Sequence, residues 1–76
     1  MKQIIEDIAK ALVDNPDQVT VKQIDGDHTS VFELSVAQSD LGKVIGKEGR
    51  TAGAMRLLLT AGGMKINRRY SLEIME

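Results

Sequence analysis

The sequence predicts an α+β domain in which three helices pack on one face of a three-stranded sheet. Near the N-terminus, apolar residues recur at the three-to-four-residue spacing of an amphipathic helix. Two segments rich in β-branched or alternating apolar residues follow, with a tight-turn signal between them. A glycine-containing stretch, a second helical pattern and a final alternating segment complete the order α-β-β-α-α-β.

The first helix is predicted over residues 2–13, with its apolar stripe at Ile4, Ile5, Ile8, Ala11 and Leu12. Pro16 ends it, because a proline pushes the residue before it out of helical geometry. Strands are predicted around Val21 and over residues 30–36, where apolar and polar side chains alternate. The Asp-Gly pair at 25–26 is typical of a tight turn between two strands.

Two helices are predicted around the stretch VIGKEGR, residues 44–50. Ser39 is expected to cap the first, with Asp40 in its first turn, where an acid suits the positive end of the helix dipole. The second begins after Gly49 and is expected to end at the AGG run 61–63, since glycine is common just past a helix end. Its buried stripe is expected at Ala52, Met55, Leu58 and Leu59.

A basic connection over residues 64–69 leads to the last predicted strand. There, Tyr70, Leu72 and Ile74 alternate with polar residues and are expected to share one face. No linker, repeat or low-complexity tract interrupts these elements.

Composition excludes several classes of site. The 76 residues suffice for one domain, expected to span 1–76. Without cysteine there is no disulfide framework and no thiolate metal site, which is typical of a reducing, cytoplasmic setting. His28 lies in an acidic turn and is expected to be solvated, so no metal and no cofactor are expected. No signal peptide or membrane-length apolar run is visible, which predicts a soluble intracellular protein.

The net charge of −1 hides a segregation of charge along the chain. Residues 1–40 carry three basic and eight acidic side chains, whereas residues 41–70 carry seven basic side chains and one acid. A polyanion responds to the local field within about 8–10 Å, so the basic segment favours nucleic-acid binding. Only Phe32 and Tyr70 are aromatic, which argues against a surface that stacks successive bases on aromatic rings.

The glycine-rich stretch does not fit the common nucleotide-binding motifs. In a P-loop, four residues separate the glycines and a hydroxyl residue follows the lysine. Here three residues separate Gly42 from Gly46, and Glu48 stands in place of the hydroxyl. A dinucleotide fingerprint requires a longer βαβ unit than this chain can hold.

What remains is a tight turn between two helices, with Gly46 and Gly49 at its ends and the two residues between them pointing outward. Glycine permits positive φ and lets another backbone approach closely. The unpaired N–H groups at the start of the second helix, together with Lys47 and Arg50, would attract consecutive phosphates. At least one side chain of the aliphatic pair 44–45 would line an apolar groove beside them.

The residues VIGKEGR are similar to the hallmark of KH domains, an aliphatic pair followed by G-x-x-G and a helix. The predicted element order resembles the type II form of that fold over essentially the whole chain. More closely, DLGKVIGKEGR and the chain length resemble the small stand-alone bacterial KH proteins of the KhpA type, which bind RNA. The resemblance implies a loop that grips the backbone of about four single-stranded nucleotides. It also implies a bacterial RNA chaperone or post-transcriptional regulator.

Carried over residue by residue, the resemblance assigns RNA binding to Gly42, Lys43, Ile45, Gly46, Lys47, Glu48, Gly49 and Arg50. Lys65, Arg68 and Arg69 could extend this surface or could equally form a solvated loop. Two positions depart from the family pattern. Thr51 replaces an aliphatic residue and is expected to loosen helix packing or alter the groove. Gly53 is expected to cost about 1 kcal/mol of helix stability relative to alanine.

A stripe of small, large and small residues on the second helix, Ala54, Leu57 and Ala61, could be a dimer seam or simple packing at the sheet edge. The resemblance favours self-association, or pairing with a second KH-containing protein of the KhpB (Jag) type. The alternative function is a protein-interaction module that uses the same fold without RNA. An enzyme is the weakest interpretation, because no nucleophile is paired with a base near a pocket.

Overall fold

The computed structural model describes all 76 residues and has the element order that the sequence predicts. In chain order, its elements are α1 (Lys2–Leu12), β1 (Thr20–Asp25), β2 (Thr29–Ser35), α2 (Leu41–Ile45), α3 (Arg50–Met64) and β3 (Arg69–Ile74). Single turns of 3-10 helix occur at residues 16–18, 38–40 and 47–49. None of the helices combines the length and the apolar character that crossing a membrane requires.

The three strands form one mixed sheet in the order β1-β2-β3. β1 runs antiparallel to β2, and β3 runs parallel to β2. In this register Val21 lies opposite Leu34, and Phe32 lies opposite Leu72. Because residues directly opposite each other share a face of the sheet, the register collects most of the apolar side chains on one side, while Ile24 and Val31 pair on the other.

One hydrophobic core lies between this side of the sheet and the helices. Its buried members come from every helix and strand and are Ile5, Ala9, Val19, Val21, Phe32, Leu34, Val44, Met55, Leu59 and Leu72. On the opposite side of the sheet, the register places Lys22, Glu33 and Glu73 in one charged row. The helices therefore cover a single face, which confirms the predicted α+β class.

The C-terminal end of α3 differs from the prediction. The AGG run does not end the helix, which continues to Met64. Gly63 is buried, and a side chain at this position would overlap the carbonyl oxygen of Arg68. The left-handed residue after the helix is Asn67, with a φ of +56°, and the Arg68 N–H donates to the Gly63 carbonyl at 2.9 Å. This glycine therefore serves the close approach of two chain segments.

Two further local predictions are wrong. Ser39 is exposed, and no side chain caps the start of α2. Asp40 is buried instead, and its carboxylate accepts hydrogen bonds from a distant segment. Leu58 is 43% exposed and lies outside the core, because the buried stripe of α3 continues from Leu59 to Gly63.

Replacing Gly63 with alanine should lower the free energy of unfolding by about 1–3 kcal/mol, because the added methyl group overlaps the Arg68 carbonyl. The matched control is Gly53→Ala in the same helix, where the added methyl group meets nothing within 4 Å. That variant should gain up to about 1 kcal/mol from the better helix former. Urea denaturation followed by circular dichroism measures both, and equal effects would contradict the close approach at Gly63.

Candidate nucleic-acid interface

The turn between α2 and α3 is built from residues with positive φ. Gly46 has a φ of +78°, Glu48 of +57° and Gly49 of +73°. Glycine adopts positive φ values without penalty, whereas L-residues rarely do. The geometry reverses the chain within four residues and leaves the side chains of Lys47 and Glu48 exposed, as the sequence predicts.

The two glycines have different roles. A Cβ atom on Gly46 would lie 2.8 Å from the Cβ of Thr51 and 2.9 Å from its backbone nitrogen. Gly46 is therefore required by the fold, since α3 folds back against it. A Cβ atom on Gly49 would meet nothing within 4 Å. The space beside Gly49 is open to a ligand. Thr51 is half-buried against the loop.

The start of α3 faces the same space. Its N-cap is Gly49, and no side chain caps the helix. The Arg50 N–H donates to the Lys47 carbonyl, and the positive end of the helix dipole lies here. The side chains of Lys47 and Arg50 are exposed beside it. Arg50 Nη2 lies 3.4 Å from Glu48 Oε2, but both side chains are exposed, and such pairs contribute little. Lys47 makes no ion pair.

The aliphatic pair before the loop divides between core and surface. Val44 is fully buried in the hydrophobic core. Ile45 is half-buried next to Gly46. One member of the pair is therefore available to an apolar groove wall, as predicted.

The short helix α2 is anchored by a buried carboxylate. The side chain of Asp40 is 1% exposed and accepts hydrogen bonds from the backbone N–H groups of Asp14 at 3.2 Å and Asn15 at 3.0 Å. The Asn15 side-chain amide also donates to it at 3.0 Å. Asp40 therefore fastens the start of α2, and with it the glycine loop, to the segment that follows α1.

Lys43 completes this ion cluster. Its ammonium group lies 2.9 Å from Asp14 Oδ2 and 3.5 Å from Asp40 Oδ1. Burial by itself raises the pKa of Asp40, but the hydrogen bonds from Asn15, Asp14 and Lys43 outweigh it, so the pKa lies below the ordinary 3.8. The hydrogen bond to Asp14 raises the pKa of Lys43 above 10.5. Lys43, expected to contact RNA, is held by two acids.

The structure separates Lys65 from the other two distant basic residues, Arg68 and Arg69, which line one cavity together. Arg68 donates to the carbonyl oxygens of Thr29 at 2.9 Å and Gly26 at 3.1 Å, so it ties β3 to the β1–β2 turn. Lys65 lies beside an apolar groove between α1 and α3. Arg69 is exposed and makes no ion pair. It lines a different cavity from Lys65 at the C-terminal end of α3.

Ala54, Leu57 and Ala61 are all exposed on α3, with Leu57 71% exposed. Met64, seven residues after Leu57, continues the same stripe and is 73% exposed. Sequence analysis missed Met64 because it ended the helix at residues 61–63. The stripe is unpartnered in the monomer.

The sequence profile described as "KhpA/KhpB, KH domain" matches residues 2–74. The chain belongs to this KH domain family. It is 53% identical over 76 residues to RNA-binding protein KhpA of Chlamydia pneumoniae, covering 100% of this chain and 97% of the relative. The RNA-binding protein KhpA of Aquifex aeolicus is 55% identical over 76 residues, covering 100% and 96%. That of Clostridium acetobutylicum is 50% identical over 74 residues, covering 97% and 99%. No solved structure matches the chain at a comparable level of similarity.

Replacing Asp40 with asparagine should destabilise the fold at neutral pH, because a neutral amide cannot accept the same set of hydrogen bonds. Folding lowers the pKa of this carboxyl, so its contribution is fully present above pH 3.8 and is lost as the pH falls through the folded-state pKa. The stability difference between wild type and Asp40→Asn should therefore shrink below that pH. Urea denaturation over a pH series measures it.

The matched control is Asp17→Asn, which changes an exposed acid in the same segment. It should leave the stability close to that of wild type. A difference for Asp40→Asn that is the same at neutral pH and at about pH 3 would contradict the buried-carboxylate account.

Proposed function

We propose that this chain binds single-stranded RNA without catalysis, using the G-x-x-G turn as a backbone clamp. The observation that carries the proposal is the open space beside Gly49, bordered by an uncapped helix N-terminus and two exposed cations. The RNA-binding names of relatives about half identical over nearly their whole length support it. KH loops clamp about four single-stranded nucleotides.

Phosphate binding at this turn uses two kinds of positive charge. The N–H groups that follow Arg50 in the first turn of α3 supply directional donors, and the lack of a side chain at Gly49 lets a phosphodiester approach them. Lys47 and Arg50 supply full charges on either side. Ile45 offers an apolar contact to a base next to the clamp, and exposed Gly42 leaves room for it.

Such contacts confer affinity more than sequence specificity. Bonds to phosphates position a strand but do not read its bases, so binding should be weakly sequence-selective and strongly salt-dependent. Lys43 contributes less than Lys47, because two carboxylates already hold its ammonium group. This behaviour suits an RNA chaperone or post-transcriptional regulator in the bacterial cytoplasm.

Self-association through the stripe Ala54, Leu57 and Ala61 would strengthen weak binding. Two linked clamps on one RNA gain affinity through effective concentration, without any new contact. The exposed leucine between two small residues supports the proposal, since small flanking residues let a second helix approach. Pairing with a KH protein of the KhpB type would use the same stripe.

The test is fluorescence anisotropy with a short single-stranded RNA over a salt series. Lys47→Asp should weaken binding about tenfold and reduce the slope of log affinity against log salt by about 1. Circular dichroism confirms that the variant is folded. Lys22→Asp, the same change on the outer face of the sheet, should leave binding nearly intact; equal losses in both variants would contradict the clamp.

Leu57→Asp separates RNA binding from self-association. It should reduce the mass measured by light scattering to that of a monomer while preserving affinity for RNA short enough to occupy one clamp. Ile66→Asp, at another exposed apolar residue, is the control and should keep the wild-type mass. If wild type binds no RNA while Leu57→Asp still abolishes association, the protein-interaction function replaces the RNA-binding one.

A further inference from the structure

An open cavity, lined mostly by polar residues, lies at the opposite end of α3 from the glycine loop. Its volume is about 650 Å³, and its lining includes His28, Thr60, Asn67 and Arg69, with Met64 and Tyr70. Sites for small ligands typically measure about 300–1,000 Å³ and combine an apolar wall with a few polar groups. The cavity could therefore hold one nucleotide, with the side chains of Met64 and Tyr70 on its apolar side.

The side chains that line this cavity carry a net positive charge. Two arginines and no acid line it. Arg68 is committed to carbonyl oxygens of the β1–β2 turn, but its charge remains, and Arg69 makes no ion pair. The nearest acid in contact with the arginines, Asp25, lies 3.9 Å from Arg68 and accepts a 2.6 Å hydrogen bond from Ser30. Arg69 is thus the cation available to a phosphate.

One flank of α3 connects the glycine loop with this cavity. Gly53, Arg56 and Thr60 recur every three or four residues and so lie on one stripe, and Thr60 lines the cavity. Arg56 Nη2 lies 3.4 Å from the carbonyl oxygen of Leu72, which places this stripe against the free edge of β3. At about 1.5 Å per residue, the 15 residues of α3 span about 22 Å.

That flank is open and carries one cation, Arg56, about midway between the loop and the cavity. A side chain on Gly53 would meet nothing within 4 Å, and Arg56 is exposed. A strand leaving the clamp beside Arg50 would therefore follow Arg56 toward Arg69. The opposite flank of α3 is covered near its C-terminal end, where Met1 packs 3.0 Å from the position of a Cβ on Gly62.

We propose that the cavity at the C-terminal end of α3 is a second subsite for the bound RNA, in which Arg69 holds a phosphate and Asn67 and His28 contact the same nucleotide. The inference rests on the proposed RNA clamp and extends it. RNA long enough to reach from the clamp to the cavity gains affinity from this contact. RNA that fills only the clamp does not.

The experiment compares two lengths of single-stranded RNA, about four and about eight nucleotides, by fluorescence anisotropy. Arg69→Glu should bind the short RNA like wild type and the long RNA about tenfold more weakly, the effect of one charge-assisted contact. A longer strand offers more binding registers to variant and wild type alike. The two proteins are therefore compared as a ratio of affinities at each length.

Lys65→Glu is the matched control, because it introduces the same residue four positions away, beside the apolar groove instead of the cavity. It should show no length-dependent loss. Asn67→Gly keeps the left-handed backbone and removes the amide, so it should lose part of the affinity for the long RNA only.

The outcomes separate this inference from the clamp. If Arg69→Glu weakens both lengths equally, or if Lys65→Glu reproduces its length-dependent loss, the second subsite is wrong while the clamp stands. If wild type binds neither RNA, the clamp and the subsite fail together. A loss confined to the long RNA in Arg69→Glu and Asn67→Gly supports the subsite.

Discussion

The close approach of Gly46 to Thr51 is the contact on which the glycine loop depends. No side chain fits between them, so α3 begins directly against the end of α2, and its N–H groups open beside Gly49. The Asp40 carboxylate holds the other end of α2 against the segment after α1. A loop fixed at both ends presents its backbone donors without first being ordered, which lowers the entropic cost of binding a flexible strand.

The same contacts explain how a chain with a net charge of −1 can bind a polyanion. Three acids are engaged in contacts within the chain: buried Asp40 and exposed Asp14 hold Lys43, and exposed Asp25 accepts a hydrogen bond from Ser30 near Arg68. Lys47, Arg56 and Arg69 make no ion pair and lie before the start of α3, on one of its flanks and after its end, respectively. The local field there is positive although the average charge is not.

Local patterns in the sequence predicted the local features of this structure. Alternation around Phe32 and Leu34 located a strand, and the glycine spacing located the turn with positive φ, because both depend on neighbouring residues. The role of Asp40 was missed because its partners lie 25 and 26 residues away. The role of Arg68 was missed for the same reason, since the carbonyl groups to which it donates lie 39 and 42 residues away. Gly63 was mistaken for a helix end, because nothing in the neighbouring sequence indicates its contact with Arg68.

The most direct measurement is an amide NMR titration of the nitrogen-labelled protein with a short single-stranded RNA. The clamp predicts the largest shift changes at the amides of residues 46–52, and little change at Lys22 and Glu33 on the outer face of the sheet. Loop amides that stay unchanged while the outer face shifts would contradict the account. RNA would then be held by a surface other than the one that Gly46 and Asp40 position.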